Sequence, residues 1–90
     1  MPEDYVVITI HYFASVREAL GKANEQLEFS DDIVNVEGLM KYLGAANPAF
    51  QSLIESESKV LVAVNQTVVD RNYVLSGNDE VAFFPPMTGG

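Results

Sequence analysis

The sequence has no cysteine, a single histidine, only five lysine and arginine residues, and no apolar run long enough to cross a bilayer. Without cysteine there is neither a disulfide framework nor a thiolate metal site. His11 alone cannot build a histidine-rich metal site or, unaided, a catalytic triad. The acidic start Met1-Pro2-Glu3-Asp4 and the missing apolar run lead us to expect no signal peptide and no membrane span, with the cytoplasm as the simplest location. Thirteen acidic residues against five basic ones leave a net charge of −8, which argues against nucleic acid and anionic lipid and suits a basic protein partner. The same charge would also serve simply to keep a small protein soluble. Scattered carboxylates are ordinarily solvated, so no bound metal is expected.

What is present is enough apolar material for one core. Hydrophobic residues make up 48% of 90 positions, which fits one domain burying roughly 60–70% of its unfolded surface. Tyr5 to Phe13 is dense in β-branched and aromatic residues and predicts a central strand. Val6, Ile8, Ile10 and Tyr12 fall on one face, and Val7, Thr9, His11 and Phe13 on the other. His11 shares its face with Thr9 and reads as a structural strand residue. Ser15 with Glu18 three residues later outlines a capped short helix ending at Gly21. Asn24 to Phe29 alternates again and predicts a second strand paired with the first.

Asn35 can cap a helix whose Val36, Leu39, Met40 and Leu43 share one face and which ends at Gly44. Asn47-Pro48 offers a cap and a first-turn proline for a further helical piece carrying Phe50, Leu53 and Ile54. Lys59 to Val64 predicts a buried strand, Asn65-Gln66 a turn, and Thr67 to Val69 a short strand. Leu75 is an expected core anchor, Ser76 to Asp79 a turn tolerant of positive φ, and Glu80 to Phe84 the last strand. Strands and helices come in runs instead of strict βαβ alternation, so the class is α+β. A β-grasp arrangement fits, with a mixed sheet under one main helix and short helices. Residues 1–84 form the domain and 85–90 an extended tail.

The tail is Pro85-Pro86-Met87-Thr88-Gly89-Gly90. Two prolines cannot donate ladder hydrogen bonds, so the strand stops before them and the chain leaves extended. Six such residues reach roughly 20 Å, far enough to enter another protein's active site. Ordering them costs roughly 6–12 kcal/mol of backbone entropy, of which each proline offsets about 0.4–1. Glycines at the tip lack Cβ atoms and can pass a narrow channel. A Gly-Gly end by itself also describes a frayed terminus. The two phenylalanines before the prolines point to opposite sheet faces, and Phe84 is the expected interface anchor.

The blocks Leu61 to Val69 and Asp79 to Gly90 resemble the C-terminal half of the molybdopterin synthase small subunit, and Phe13-Ala14-Ser15-Val16-Arg17-Glu18 resembles that family's first strand and short helix. Thiamin-pathway carriers and ubiquitin-related modifiers share the fold and the terminal Gly-Gly, whereas Phe-Phe-Pro-Pro favours the molybdopterin branch. The family often has Asp-Gly-Asp before its last strand where this chain has Gly77-Asn78-Asp79, so an altered turn is expected.

The resemblance implies a ubiquitin-like sulfur carrier that is not an enzyme on its own. A terminal carboxylate near pKa 3.5 is a poor electrophile and needs activation. An activating enzyme would adenylate Gly90 with ATP, and a sulfur donor protein would displace AMP to leave a thiocarboxylate. The tail would then enter the large synthase subunit and give sulfur to cyclic pyranopterin monophosphate, two carriers serving one dithiolene in a heterotetramer. Gly90 would be the covalent site, Gly89 the channel residue, and Pro85, Pro86, Met87 and Thr88 the docking stem, with no cofactor bound to the carrier itself. A protein modifier conjugated through Gly90, and a passive interaction domain, are the alternatives.

Overall fold

Period-two alternation in the first strand divides the molecule into a covered side and an open one. The computed structural model describes residues 6–30, 33–55 and 60–86. In chain order the elements are β1 (Val7–Tyr12), α1 (Ala14–Leu20), β2 (Asn24–Glu28), α2 (Val36–Ala46), α3 (Pro48–Glu55), β3 (Leu61–Val64), β4 (Thr67–Val69) and β5 (Glu80–Phe84). Ile8, Ile10 and Tyr12 are buried, while Val7, Thr9 and His11 are half-exposed on the opposite face. The five strands form one sheet in the order β2-β1-β5-β3-β4. Only β1 and β5 run parallel; the other neighbours are antiparallel. Helices on one face of such a sheet make a β-grasp fold of the α+β class.

β1 is an interior strand with a partner on each side, as expected, and β5 takes the middle place of the five. The helices cover the face that carries Ile8, Ile10, Val62, Val64, Val81 and Phe83. Val36, Leu39, Met40 and Leu43 of α2 supply the main apolar stripe, as their i, i+3, i+4, i+7 spacing predicts. Each large side chain removed from water here contributes about 1.5–3 kcal/mol. Leu75 also joins this core.

Two predicted helix boundaries differ. Ser15 is not the cap of α1: the cap position is Phe13, without a side-chain hydrogen bond, and Ser15 lies inside the helix. The Phe13 N–H is held by the Phe83 carbonyl at 3.1 Å, so sheet pairing fixes where the strand ends, and Ala14 turns the chain with φ +51°. At the other end Gly21 closes the helix in left-handed geometry with its N–H on the Arg17 carbonyl, as read from the sequence. The second difference is α2, which continues past Gly44 to Ala46. A side chain at Gly44 would meet Gln51 of α3, so this glycine permits close helix packing, and Asn47-Pro48 supplies the stop. The Asn35 cap forms as expected, its Oδ1 accepting from the Gly38 N–H at 2.9 Å.

Tyr12 is the large polar-tipped member of the core. Its hydroxyl donates to Glu25 of β2, and Lys22 donates to the other Glu25 oxygen at 3.1 Å. Burial first, and then the hydrogen bond and charge of Glu25, hold the phenol well above its ordinary range.

Candidate functional site

The functional end of the chain is set by how β5 begins and ends. At its start, Asn65 and Asp79 lock two turns together. The Asn65 side chain donates to Asp79 Oδ1 at 3.0 Å and accepts from the Glu80 N–H at 3.0 Å, while Asp79 Oδ2 accepts from the Ser76 N–H at 2.8 Å. The Asn65 N–H also donates to the Glu80 carbonyl at 2.8 Å. Asn65 and Gln66 both have positive φ, which gives the tight β3–β4 turn the twist that a two-residue hairpin requires. Asn78 takes φ +69°, so the left-handed position in the Gly77-Asn78-Asp79 turn is filled by asparagine. Gly77 is the close-approach residue, since a Cβ there would meet Val6.

At its end, β5 separates its two phenylalanines. Phe83 is fully buried and packs edge-on against Phe50, with centroids 5.2 Å apart, whereas Phe84 is half-exposed on the open face opposite Leu61. Phe84 thus takes the outward position and Phe83 the core, because the helices cover only one face of the sheet. Pro85 is half-exposed and Pro86 exposed, immediately after the last ladder residue. Met87, Thr88, Gly89 and Gly90 lie outside the described residues.

The open face gathers residues that were not singled out as site residues. Phe13 is 48% exposed and Val68 64%, and the strand register sets them in a field with Leu61, Ala63, Ala82 and Phe84. Phe84 of β5 and Leu61 of β3 are register partners, and Phe13 follows Tyr12, the register partner of Phe83, just past the end of β1. Period-two alternation had already put Phe13 opposite the buried Tyr12, which was the available signal. His11 stacks on Phe13 at 6.3 Å between centroids, and with Gln66, Glu80, Val81 and Ala82 these two rings line a recess of about 270 Å³. Among the described residues, no three histidine, aspartate or glutamate side chains converge as metal ligands would, and no helix is long and apolar enough to cross a membrane.

An apolar sheet face running up to Pro85 and Pro86 suits docking against another surface. The chain is 40% identical over 84 residues to the molybdopterin synthase sulfur carrier subunit of Escherichia coli, covering 93% of this chain and all of the relative. The fold matches the crystal structure of SAMP1 from Haloferax volcanii with a TM-score of 0.78 at 24% identity, over 93% of this chain and 99% of that one. It also matches a chain of the complex of subunits 1 and 2 of molybdopterin-converting factor from Helicobacter pylori, with a TM-score of 0.65 at 15% identity, over 93% and 99%. Both structural likenesses speak to the fold alone. The ThiS family profile spans residues 10–90, across the sheet, the helices and the Gly-Gly end, and the chain belongs to the ThiS family.

Proposed function

We propose that this protein is the sulfur carrier subunit of a molybdopterin synthase, with Gly90 as the atom-bearing end. The observation that carries the reading is the exit of Phe84-Pro85-Pro86 from the central strand, beside the open apolar row of Phe13 and Leu61. A surface of that kind suits a partner, and a chain end that leaves beside it would reach into the partner's site. The full-length likeness to the Escherichia coli carrier supports the same reading.

In this scheme residues 1–84 are the folded body and 85–90 the delivery arm. The Gly90 carboxylate attacks the α-phosphorus of ATP on a ubiquitin-activating-type enzyme, giving the acyl adenylate and pyrophosphate. A hydrosulfide equivalent from a sulfur donor protein attacks the acyl carbon, AMP leaves, and a thiocarboxylate remains. Phe84 anchors the carrier on the large synthase subunit, Pro85, Pro86, Met87 and Thr88 line the approach, and Gly89 occupies the narrow channel. The sulfur passes to cyclic pyranopterin monophosphate, and water oxygen restores the carboxylate. Two carriers on two large subunits supply the two sulfurs of one dithiolene, in the cytoplasm, where ATP and reduced sulfur are at hand. The acid-base groups belong to the large subunit, and the carrier holds no cofactor.

The test is intact mass after incubation with activating enzyme, ATP and sulfide, followed by addition of the large subunit and the pterin precursor. Replacement of one oxygen by sulfur, then its loss with formation of molybdopterin, is the expected result. A covalent adduct to lysines of another protein would instead identify a modifier, and an unchanged mass a passive domain.

A further inference from the structure

The recess on the open face has a chemistry that the apolar row beside it does not. We propose that it receives one cationic side chain, an arginine of the partner subunit, and so selects a basic partner; this rests on the carrier reading above. At about 270 Å³ it falls just below the roughly 300–1,000 Å³ of small-molecule sites and suits a single long side chain. Its floor is Ala82, the small residue of the β5 open-face column between Glu80 and Phe84. One wall is the pair of stacked rings, His11 and Phe13, tilted by only 26°. Glu80 and Gln66, both exposed, also line it, and strand alternation sets Glu80 on the same open face as Ala82.

Chemistry narrows the occupant. An apolar side chain would bury Glu80 and Gln66 without partners, which is costly for an amide and more so for a carboxylate. An acidic one would face Glu80 on a chain of net charge −8. A guanidinium satisfies every element at once. Its planar face lies on the aromatic wall, its methylenes on Ala82, and its fork of N–H donors meets the Glu80 carboxylate and the Gln66 carbonyl. A lysine ammonium would use the carboxylate but not the rings in the same way. The recess is continuous with Phe13 of the apolar docking row, so one partner surface can cover both.

The experiment is calorimetric titration of the purified large subunit of molybdopterin synthase with the full-length carrier and its variants Glu80→Gln, Glu80→Lys and Ala82→Leu. Thermal melts establish that each variant is folded. Glu80→Gln is expected to weaken binding about tenfold, as for loss of a charge-assisted hydrogen bond. Glu80→Lys and Ala82→Leu should weaken it further, by repulsion and by filling the recess. With ¹⁵N-labelled large subunit, one arginine Nε–H should become protected from exchange in the wild-type complex and lose that protection with Glu80→Gln. If wild-type carrier binds and transfers sulfur but all three variants bind within twofold of it, the recess is empty and this inference falls while the carrier function stands. If only Ala82→Leu weakens binding, an uncharged side chain occupies the recess and the cation is wrong. Failure of the wild-type chain both to bind and to gain sulfur overturns the carrier reading and this inference together.

Discussion

The ring of Phe83 stands edge-on to the ring of Phe50, 5.2 Å between centroids at 72°, while the next residue along, Phe84, turns its back on that contact and faces the open side of the sheet. In the proposed complex the two adjacent phenylalanines would separate stability from recognition. Phe83→Ala should cost about 3–5 kcal/mol through the cavity it leaves beside Phe50 and Tyr12. Phe84→Ala should leave the melting temperature nearly unchanged and weaken binding to the large subunit by about 2 kcal/mol or more. Melting curves and titrations on the two variants check both halves; a large stability loss with unchanged affinity for Phe84→Ala would contradict this assignment.

Asp79 is 9% exposed and takes two hydrogen bonds, from the Asn65 side chain and the Ser76 backbone. Asp79→Ala removes both acceptors and should cost about 1–3 kcal/mol, lowering the melting temperature by roughly 4–8 °C per kcal/mol in a domain of this size. Asp79→Asn should recover only part of this, because both contacts come from donors and an amide offers one oxygen. Calorimetry on the two variants would show the order; equal stability for alanine and wild type would mean that the two turns are held by backbone pairing alone.

The buried phenol of Tyr12, raised by burial and by its bond to Glu25, makes stability depend on alkaline pH. In the folded chain it stays neutral where the unfolded phenol, with a pKa of about 10, has begun to ionise. The stabilisation is therefore complete below about pH 10 and is lost as pH climbs above it. Urea unfolding between about pH 8 and 11 should show a steeper decline for wild type than for Tyr12→Phe, which has no proton to lose. Parallel curves would show that Tyr12 does not carry the dependence.

The chain end has a sharper requirement. Deleting Gly90, or adding one residue after it, displaces the terminal carboxyl by roughly 3.3–3.6 Å, more than reacting atoms at about 3–3.5 Å can tolerate. Sulfur transfer should be abolished in both variants with circular dichroism unchanged, because β5 closes at Phe84, before the prolines. Normal molybdopterin formation by an extended carrier whose extra residue is retained would rule out Gly90 as the sulfur-bearing position.

Local signals predicted most of the framework correctly, and the misreadings were decided by contacts distant in sequence. The Asn35 cap, the Gly21 stop, the Asn65-Gln66 turn and the left-handed Asn78 follow from single residues and their immediate neighbours, and each forms. Ser15 and Glu18 offered a capping box, but the hydrogen bond from Phe13 to Phe83, far apart in sequence, ends β1 and puts the α1 cap at Phe13, two residues earlier. Gly44 looked like a stop and is a packing site for α3, a role that depends on Gln51. Strand composition marked β1 as an interior strand, which it is, whereas the middle place of β5 comes only from the sheet order. The tail motif was legible because it is contiguous. The recess of His11, Gln66 and Glu80 was not, because its walls come from β1, the β3–β4 turn and β5.

The place of β5 between β1 and β3 has a mechanical consequence. A carrier must be withdrawn from its partners after each delivery, and any pull on residues beyond Pro86 is transmitted directly into β5. Were that strand at the edge, one ladder alone would carry the load. Here both flanking ladders resist at once, and the β1 ladder, parallel to β5, is loaded in shear along its length. In the proposed scheme, the force that frees the tail from its partner would thus be met by two ladders instead of one.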